Sequence, residues 1–413
     1  MKFIFTVICL GFTIYGSAQR CGTPEYVKQN GTSLILSPTA NVDDASARDT
    51  LPGEVIVVPV VFHVLYNTNV QNISDQQVLS QLTVLNNDYR RRNADTVNTP
   101  VPFKSVAADA RIVFCLAKVD PNGKYTTGVI HKHTSSGLFL SDDEMKFSST
   151  GGDDAWDSKK YLNIWVCNLF GRTLGYAVMP GGPAEKDGIV IQYTAFGTMG
   201  TAAAPFNKGR TATHEVGHWL GLRHLWGDAE CGDDGIADTP PQETSNSNCA
   251  SFPHLSSCSI NSYGDMFMDF MDFTDDACMN MFTRGQANEM RSLFALGNYR
   301  NSFLNSSVCD SSLAQGGPLP TDSSATSNNV TISVYPNPFS NQVTISGKNE
   351  ADITGKTIRL YDVTGRLYIT KVITTQKTTI NVGNLPAGMY ILKVEGGNSP
   401  KVFKLIKQNN LNL

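Results

Sequence analysis

The chain has 413 residues, 41% of them hydrophobic, with a formal net charge of −4 and a sequence pI near 6.0. This length allows two or three domains of ordinary size. The mildly acidic balance gives no general attraction to nucleic acid or to an anionic membrane surface, so neither is an expected partner.

Residues 1–19 have the pattern of a secretory signal peptide. Lys2 gives a positive start, residues 3–15 form an apolar segment, and Gly16-Ser17-Ala18 supplies small residues for cleavage. The apolar segment is short for a membrane span and no later segment qualifies, so no transmembrane segment is predicted. Export to an oxidising compartment makes disulfides expected among the nine cysteines.

The next segments predict a pro-segment and a catalytic domain of mixed structure. Residues 20–51 are assigned to a pro-segment. The stretch from Gly31 to Pro52 is polar and rich in turn-forming residues, which suits an exposed activation region. Residues 52–310 form the longest candidate domain. Within it, the apolar patterns predict a buried strand at 54–66, a helix at 74–89, strands at 112–119, 161–168 and 187–193, and helices from about 208 and at 286–296.

Residues 214–224 read HEVGHWLGLRH, a spacing typical of a zinc site. His214 and His218 lie four residues apart, so on a helix they share one face and can bind one metal ion. Gly221 can take the left-handed backbone that ends a helix, which lets the chain bring His224 to the same ion. Glu215 can reach a water molecule there. An amphipathic helix with surface histidines gives no reason for a third histidine just past a glycine.

This motif resembles the zinc signature of the metzincin metalloproteases, and the chain is similar to the pappalysin branch over residues 50–305. The segment 269–278 resembles the Met-turn of that branch, with Met271 as the methionine beneath the metal. Relatives usually carry a tyrosine where this chain has Phe273, and the tyrosine hydroxyl is linked to stabilising the reaction intermediate. That role is therefore in question here, whereas zinc binding is not affected.

The resemblance implies an α+β metzincin catalytic domain with a twisted mixed sheet, a zinc helix and a loop-rich lower subdomain. It also implies that Glu215 takes a proton from the attacking water and passes it to the leaving amine. Residues 187–193 are expected to be the edge strand that pairs with an extended substrate.

The cysteines outside the signal peptide fall into three groups. For the four between the zinc motif and the Met-turn, the sequence allows three pairings, and the resemblance implies Cys231–Cys258 and Cys249–Cys278. Cys115 and Cys167 lie in predicted strands, where they can pair or remain buried thiols. The stretch Arg20-Cys21-Gly22-Thr23 resembles the cysteine switch of pappalysin zymogens, in which a thiolate blocks the zinc; the alternative is a disulfide between Cys21 and Cys309.

Acidic, turn-forming residues follow the zinc motif between Gly227 and Pro241. Closely spaced oxygen ligands suit calcium, although an ordinary surface turn has the same composition. Pappalysins carry structural calcium in this region, so the resemblance implies Ca²⁺ in addition to the catalytic Zn²⁺. The expected calcium ligands are Asp233, Asp238 and Thr239.

The C-terminal part reads as a linker followed by a β domain. Residues 311–329 are rich in Ser, Gly, Pro, Thr and Asn, and residues 330–413 contain short alternating segments typical of a small immunoglobulin-like β-sandwich. The stretches 334–339, 361–366, 384–390 and the basic tail 401–405 resemble the type IX secretion sorting domain. This resemblance implies the type IX secretion machinery as a partner, with no role for the domain in catalysis.

These features predict a secreted or cell-surface zinc endopeptidase that hydrolyses protein or peptide substrates and is made as a latent zymogen. The alternative is a catalytically silent surface binding protein on a metzincin scaffold. The intact Glu215 argues against that alternative, because a silent scaffold has no need to keep the carboxylate, whereas Phe273 argues weakly for it.

Overall fold

The computed structural model describes residues 20–30, 54–314 and, with short gaps, 332–407. The expected signal peptide, the pro-segment beyond Asn30 and most of the linker lie outside these residues. The chain divides into two compact units, Met1–Leu319 and Pro320–Leu413. In the part of the chain so described, no helix has the length and apolar character to cross a membrane.

The first unit contains four α-helices and eight strands among its described residues. The helices are α1 (Thr23–Asn30), α2 (Asp75–Asp88), α3 (Arg210–Trp219) and α4 (Arg284–Ser292). The strands are β1 (Ile56–Tyr66), β2 (Ala107–Ala108), β3 (Ile112–Leu116), β4 (Val129–His133), β5 (Leu162–Cys167), β6 (Gly175–Ala177), β7 (Ile189–Gln192) and β8 (Phe282–Thr283).

Six of these strands form one mixed sheet with the order β3-β1-β5-β7-β6, and β4 also pairs with β1. All pairings are parallel except β6 with β7. The valine-rich β1 lies in the interior of this sheet. Its alternate residues Val58, Val60, Phe62 and Val64 are buried in the core shared with helices α2 and α3, which accounts for the continuous apolar run.

The edge strand of the sheet beside the zinc motif is β6. The sequence had predicted residues 187–193 as that edge strand. Strand β7 lies between β5 and β6 and is hydrogen-bonded on both sides. The expectation was therefore wrong, because a short apolar run looks the same in sequence whether its strand is interior or at an edge. Residues 20–30 contact the other edge of β6, where the Gly22 amide donates to the Gly175 carbonyl at 2.8 Å.

The segment between α3 and β8 is long and contains little regular structure. The disulfides Cys231–Cys258 and Cys249–Cys278, the pairings implied by the resemblance, brace it. A third disulfide joins Cys115 to Cys309. It overturns two alternatives from the sequence, the Cys115–Cys167 pair and the Cys21–Cys309 pair. Cys21 and Cys167 are both buried free thiols.

The second unit is a β domain of two antiparallel sheets. Its strands are β9 (Ile332–Tyr335), β10 (Gln342–Gly347), β11 (Thr357–Asp362), β12 (Leu367–Val372), β13 (Lys377–Asn381), β14 (Gly388–Glu395) and β15 (Lys401–Lys407). One sheet has the order β13-β10-β9 and the other β12-β11-β14-β15. A single apolar core lies within the domain and includes Val343, Leu360 and Leu392. The basic tail expected from the sequence is strand β15.

Candidate active site

Helix α3 carries the first part of the metal-binding motif and is fixed at both ends. At its start, the carboxylate of Asp276 accepts hydrogen bonds from the amides of Lys208 (2.8 Å) and Arg210 (3.1 Å), which otherwise lack partners. At its end, Trp219 lies under the guanidinium of Arg300 at 3.8 Å. The chain then turns through Gly221, whose φ of +86° favours glycine.

This turn brings the three motif histidines together around one point. The Nε2 atoms of His214, His218 and His224 lie 3.0 to 3.2 Å from one another, and all three side chains are buried. Zinc–nitrogen bonds of about 2.0 Å in tetrahedral geometry separate two ligands by about 3.3 Å, so the observed spacing fits one zinc ion.

Each histidine directs Nε2 to the shared point because its Nδ1 is held by another group. Nδ1 of His214 donates to the Phe270 carbonyl at 2.7 Å, and Nδ1 of His218 donates to the Leu222 carbonyl at 2.8 Å. Nδ1 of His224 pairs with the Asp228 carboxylate at 2.5 Å.

Burial favours neutral rings in this cluster. It lowers the pKa of His218 to about 3 and that of His214 well below its usual value, and repulsion from the neighbouring histidines acts in the same direction. Neutral imidazoles are the form that binds metal. Sequence reasoning missed the contact of Asp228 with His224, although the spacing of four residues was a signal for it.

Glu215 lies beside the histidines and is buried. Its Oε2 accepts a hydrogen bond from the Thr23 hydroxyl at 3.0 Å and lies 3.5 Å from Sγ of Cys21, whereas Oε1 has no partner. Burial raises the pKa of Glu215 to about 8, although the hydrogen bonds from Cys21 and Thr23 lower it. Gly175 allows the close approach of strand β6, because a Cβ there would lie 2.9 Å from Cγ of Glu215.

The segment containing Met271 passes beneath the histidines. Met271 is buried, and its sulfur packs so closely on α3 that a Cβ on Gly217 would lie 2.5 Å from it. The glycine inside the zinc motif is therefore explained by this contact. Phe273 lies 4.8 Å from the ring centroid of His224 and 4.9 Å from that of Trp226. It provides an aromatic wall without a hydroxyl group.

Residues 20–30 place a fourth donor at the site. Sγ of Cys21 joins the three histidines in a group whose ligand atoms all lie within 4.8 Å of one another, the one such group among the described residues. Arg20, the preceding residue, inserts into a separate buried pocket. Its guanidinium donates to Asp276 at 2.8 Å and to the Thr274 carbonyl at 2.6 Å.

The expected calcium ligands each have hydrogen-bond partners within the protein. Asp233 is exposed and accepts from the Gly235 amide, and the Thr239 hydroxyl donates to Asp234 at 2.7 Å. Asp238 accepts from the Gly285 amide at 2.9 Å through one oxygen, whereas its other oxygen has no partner. Calcium binding by Asp233, Asp238 and Thr239 stays a prediction.

The sheet, the zinc helix and the buried histidine cluster define a metalloendopeptidase of the metzincin class. Residues 147–295 match the family model Peptidase M43, described as pregnancy-associated plasma protein-A. Extracellular metalloprotease 1 of Coccidioides posadasii is 30% identical over 314 residues, which are 71% of this chain and 98% of that protein. The chain therefore belongs to the Peptidase M43 (pappalysin) family.

Two solved structures are similar to the first unit. Mature mirolysin of Tannerella forsythia, in complex with a cleaved peptide, is 51% identical with a TM-score of 0.60, over 61% of this chain and 97% of that chain. A promirolysin mutant from the same organism is 46% identical with a TM-score of 0.64, over 70% and 97%. Both support a peptidase rather than a silent scaffold.

The second unit also has a family match. Residues 333–408 match the model described as a secretion system C-terminal sorting domain. Together with the extracellular relatives, this match indicates that the protein is secreted or displayed at the cell surface.

Proposed function

We propose that this protein is a zinc endopeptidase in which Glu215 acts as general base and then general acid on a peptide bond. When bound by His214, His218 and His224, zinc supplies a Lewis acid that polarises the scissile carbonyl and activates water. Glu215 takes the proton from the attacking water and delivers it to the leaving amine. The observation that carries this proposal is the convergence of three buried Nε2 atoms beside one buried carboxylate.

The chain is made latent by residues 20–30, which occupy the site. The thiol of Cys21 would provide zinc with a fourth ligand in place of water, and the Thr23 hydroxyl donates a hydrogen bond to Glu215. Gly22 covers the edge of β6, so an extended substrate cannot pair there. Activation therefore requires a cut between this segment and the catalytic domain.

The pocket that holds Arg20 determines which substrate side chain is preferred on the primed side of the scissile bond. Asp276 is buried, and in the latent form its carboxylate pairs with a guanidinium. Once the pro-segment leaves, a substrate arginine after the scissile bond can take the same place. We infer that Asp276, rather than its neighbour Asp275, provides this selectivity, because only Asp276 bonds to Arg20.

Three further assignments belong to the proposal. The type IX secretion machinery recognises the second unit. The two sheets of that unit form an immunoglobulin-like sandwich. Calcium stabilises the loop after the zinc motif, where the partly buried Asp238 and the buried Asp234 each have an oxygen without a donor.

The test is cleavage of a peptide library by the full chain, before and after proteolytic removal of the pro-segment, with zinc measured on the same sample. The expected result is one zinc per chain and cleavage only after activation, abolished by a chelator and restored by zinc. Bound zinc without cleavage by the activated protein would contradict the proposal and favour the silent scaffold.

A further inference from the structure

A second side chain of the pro-segment, Tyr26 of helix α1, fills a pocket away from the metal site. Its ring stacks on Tyr176 with centroids 5.1 Å apart and planes inclined by 30°. Its hydroxyl donates to Oδ2 of Asp143 at 2.6 Å. The side chain is buried, although Glu25 and Lys28 on the same helix are exposed.

The catalytic domain supplies every other residue of this pocket and holds the carboxylate in place. Asp143 bonds to Lys146 at 2.8 Å and to Lys186 at 3.1 Å, and it accepts from the Tyr176 hydroxyl at 3.0 Å. Burial acts to raise the pKa of Asp143, but Lys146 and these hydrogen bonds hold it below its ordinary value. The group is therefore an ionised acceptor that remains when the pro-segment leaves.

The same pocket has the features that bind a phenol ring. The ammonium group of Lys146 lies 5.4 Å from the ring centroid of Tyr26 and 4.9 Å from that of Tyr176, so a cation faces each ring. A phenol ring in this pocket stacks on Tyr176, and the hydroxyl of the bound ring donates a hydrogen bond to Asp143. A phenylalanine makes the ring contacts but leaves the buried carboxylate oxygen without that donor.

The two pockets are filled by residues on either side of Cys21 in the chain. Arg20 precedes Cys21 and reaches Asp276, whereas Tyr26 follows it. The Tyr26 amide donates to the Gly22 carbonyl at 3.0 Å, so Gly22 already begins a helical turn. One extended and four helical steps from Cys21 to Tyr26 therefore cover roughly 9 Å. At about 3.3 Å per extended residue, this corresponds to about three substrate residues.

We propose that, in the activated enzyme, Asp143, Lys146 and Tyr176 form a non-primed subsite that binds a tyrosine side chain of the substrate, and that Tyr26 occupies it in the zymogen. The proposal rests on the proposed function, because that function assigns the Asp276 pocket to the primed side. The subsite thus selects tyrosine about three residues before the scissile bond.

The first test is binding, which needs no turnover. The full chain carrying Glu215→Gln is activated by proteolysis, freed of its pro-segment and titrated with a fluorescent peptide of residues 20–30. We expect Tyr26→Phe in the peptide to weaken binding about tenfold and Tyr26→Ala about a hundredfold. The matched control Lys28→Ala should change binding less than twofold. Equal affinities for the tyrosine, phenylalanine and alanine peptides would overturn the proposal.

The second test is selectivity in cleavage by the activated wild-type chain. Peptides with Tyr, Phe or Ala at each position before the bond should show a Tyr over Phe preference of about tenfold in kcat/KM at one position. Tyr176→Leu, which keeps the Asp143–Lys146 pair, should reduce cleavage of the tyrosine and phenylalanine peptides towards that of the alanine peptide. Cleavage without a tyrosine preference at any position would overturn the subsite. Absence of all cleavage would count against the proposed function, and the binding test would then decide the subsite.

Discussion

Glu215 is the residue with the sharpest expected phenotype. Replacing it with Gln keeps the shape of the side chain but removes the proton acceptor, so kcat should fall by about 10² to 10⁴. The three histidines are unchanged, and the zinc content should stay at one per chain. The measurement is hydrolysis of a quenched fluorescent peptide by the activated chain, with metal analysis of the same sample. Turnover near the wild-type rate would show that another group acts as the base.

Phe273 offers a gain-of-function test. Its ring packs on His224 and Trp226, so Phe273→Tyr adds a hydroxyl beside the metal site without changing the ring contacts. One oxyanion donor contributes a factor of about 10² to 10³ to kcat. If the added hydroxyl supplies part of that factor, kcat should rise at least tenfold. Comparison of kcat for the two activated proteins measures the effect. An unchanged kcat would mean that the hydroxyl is not needed in this chain.

Asp276 should determine the arginine preference. Asp276→Asn keeps the size of the side chain but removes the charge, so kcat/KM for peptides with arginine after the bond should fall about 10- to 100-fold. Peptides with leucine there should be affected much less. The matched control is Asp275→Asn, on the adjacent and more exposed carboxylate. The assignment would be wrong if both variants kept the arginine preference.

The sequence was most informative for residues that act through local spacing. The four-residue spacing of His214 and His218, and the glycine before His224, predicted a cluster that the structure contains. The contact of Asp276 with Arg20 had no such signal, because the two residues lie 256 positions apart in the chain. Contacts of that kind depend on the tertiary fold and leave no local pattern.

At the scale of elements, the proposed function makes helix α1 and the edge strand β6 one inhibitory unit. Cys21→Ala removes the fourth donor but leaves Arg20 and Tyr26 in their pockets, so latency should weaken rather than vanish. We expect the intact chain to show measurable cleavage, below that of the activated enzyme. The matched control is Cys167→Ala, the other buried free thiol, which should stay fully latent. The assay is peptide hydrolysis by the uncut chain, and full latency of the Cys21 variant would contradict a zinc-blocking thiol.

Element prediction succeeded where amphipathic or apolar patterns were long. Helix α2 begins after Ser74, whose side chain caps Gln77, close to its expected position. Strand β6 was missed, because three residues beginning with a glycine show no periodicity. Strand β6 nevertheless forms the edge on which residues 20–30 lie. A strand at the candidate site therefore had the weakest signal in the sequence.

At the scale of the whole molecule, catalysis should depend on the first unit alone and export on the second unit. Each unit has its own apolar core, so deletion of residues 320–413 should leave kcat/KM of the activated protein within about twofold of the full chain. Release into the medium of a host with type IX secretion should be lost. Activity and secreted amount are measured in parallel. A large loss of activity on deletion would show that the second unit supports the catalytic one.

The division into two units was foreseeable, since a linker rich in Ser, Gly and Pro separates two regions of different periodicity. The third disulfide was not. Cys115 and Cys309 are 194 residues apart, and neither has a neighbour in sequence that marks the pair. Only the arrangement of β3 against the end of the catalytic unit brings them together.

The Cys115–Cys309 bond closes residues 115–309 of the catalytic unit into one covalent ring. A backbone cut between these two cysteines leaves both fragments attached, whereas after a cut between residues 30 and 54 no disulfide holds residues 20–30, because Cys21 is a free thiol. A chain that is nicked in its long loops can therefore still keep its parts together. Such nicked molecules would migrate as a single species without reductant and as fragments with it.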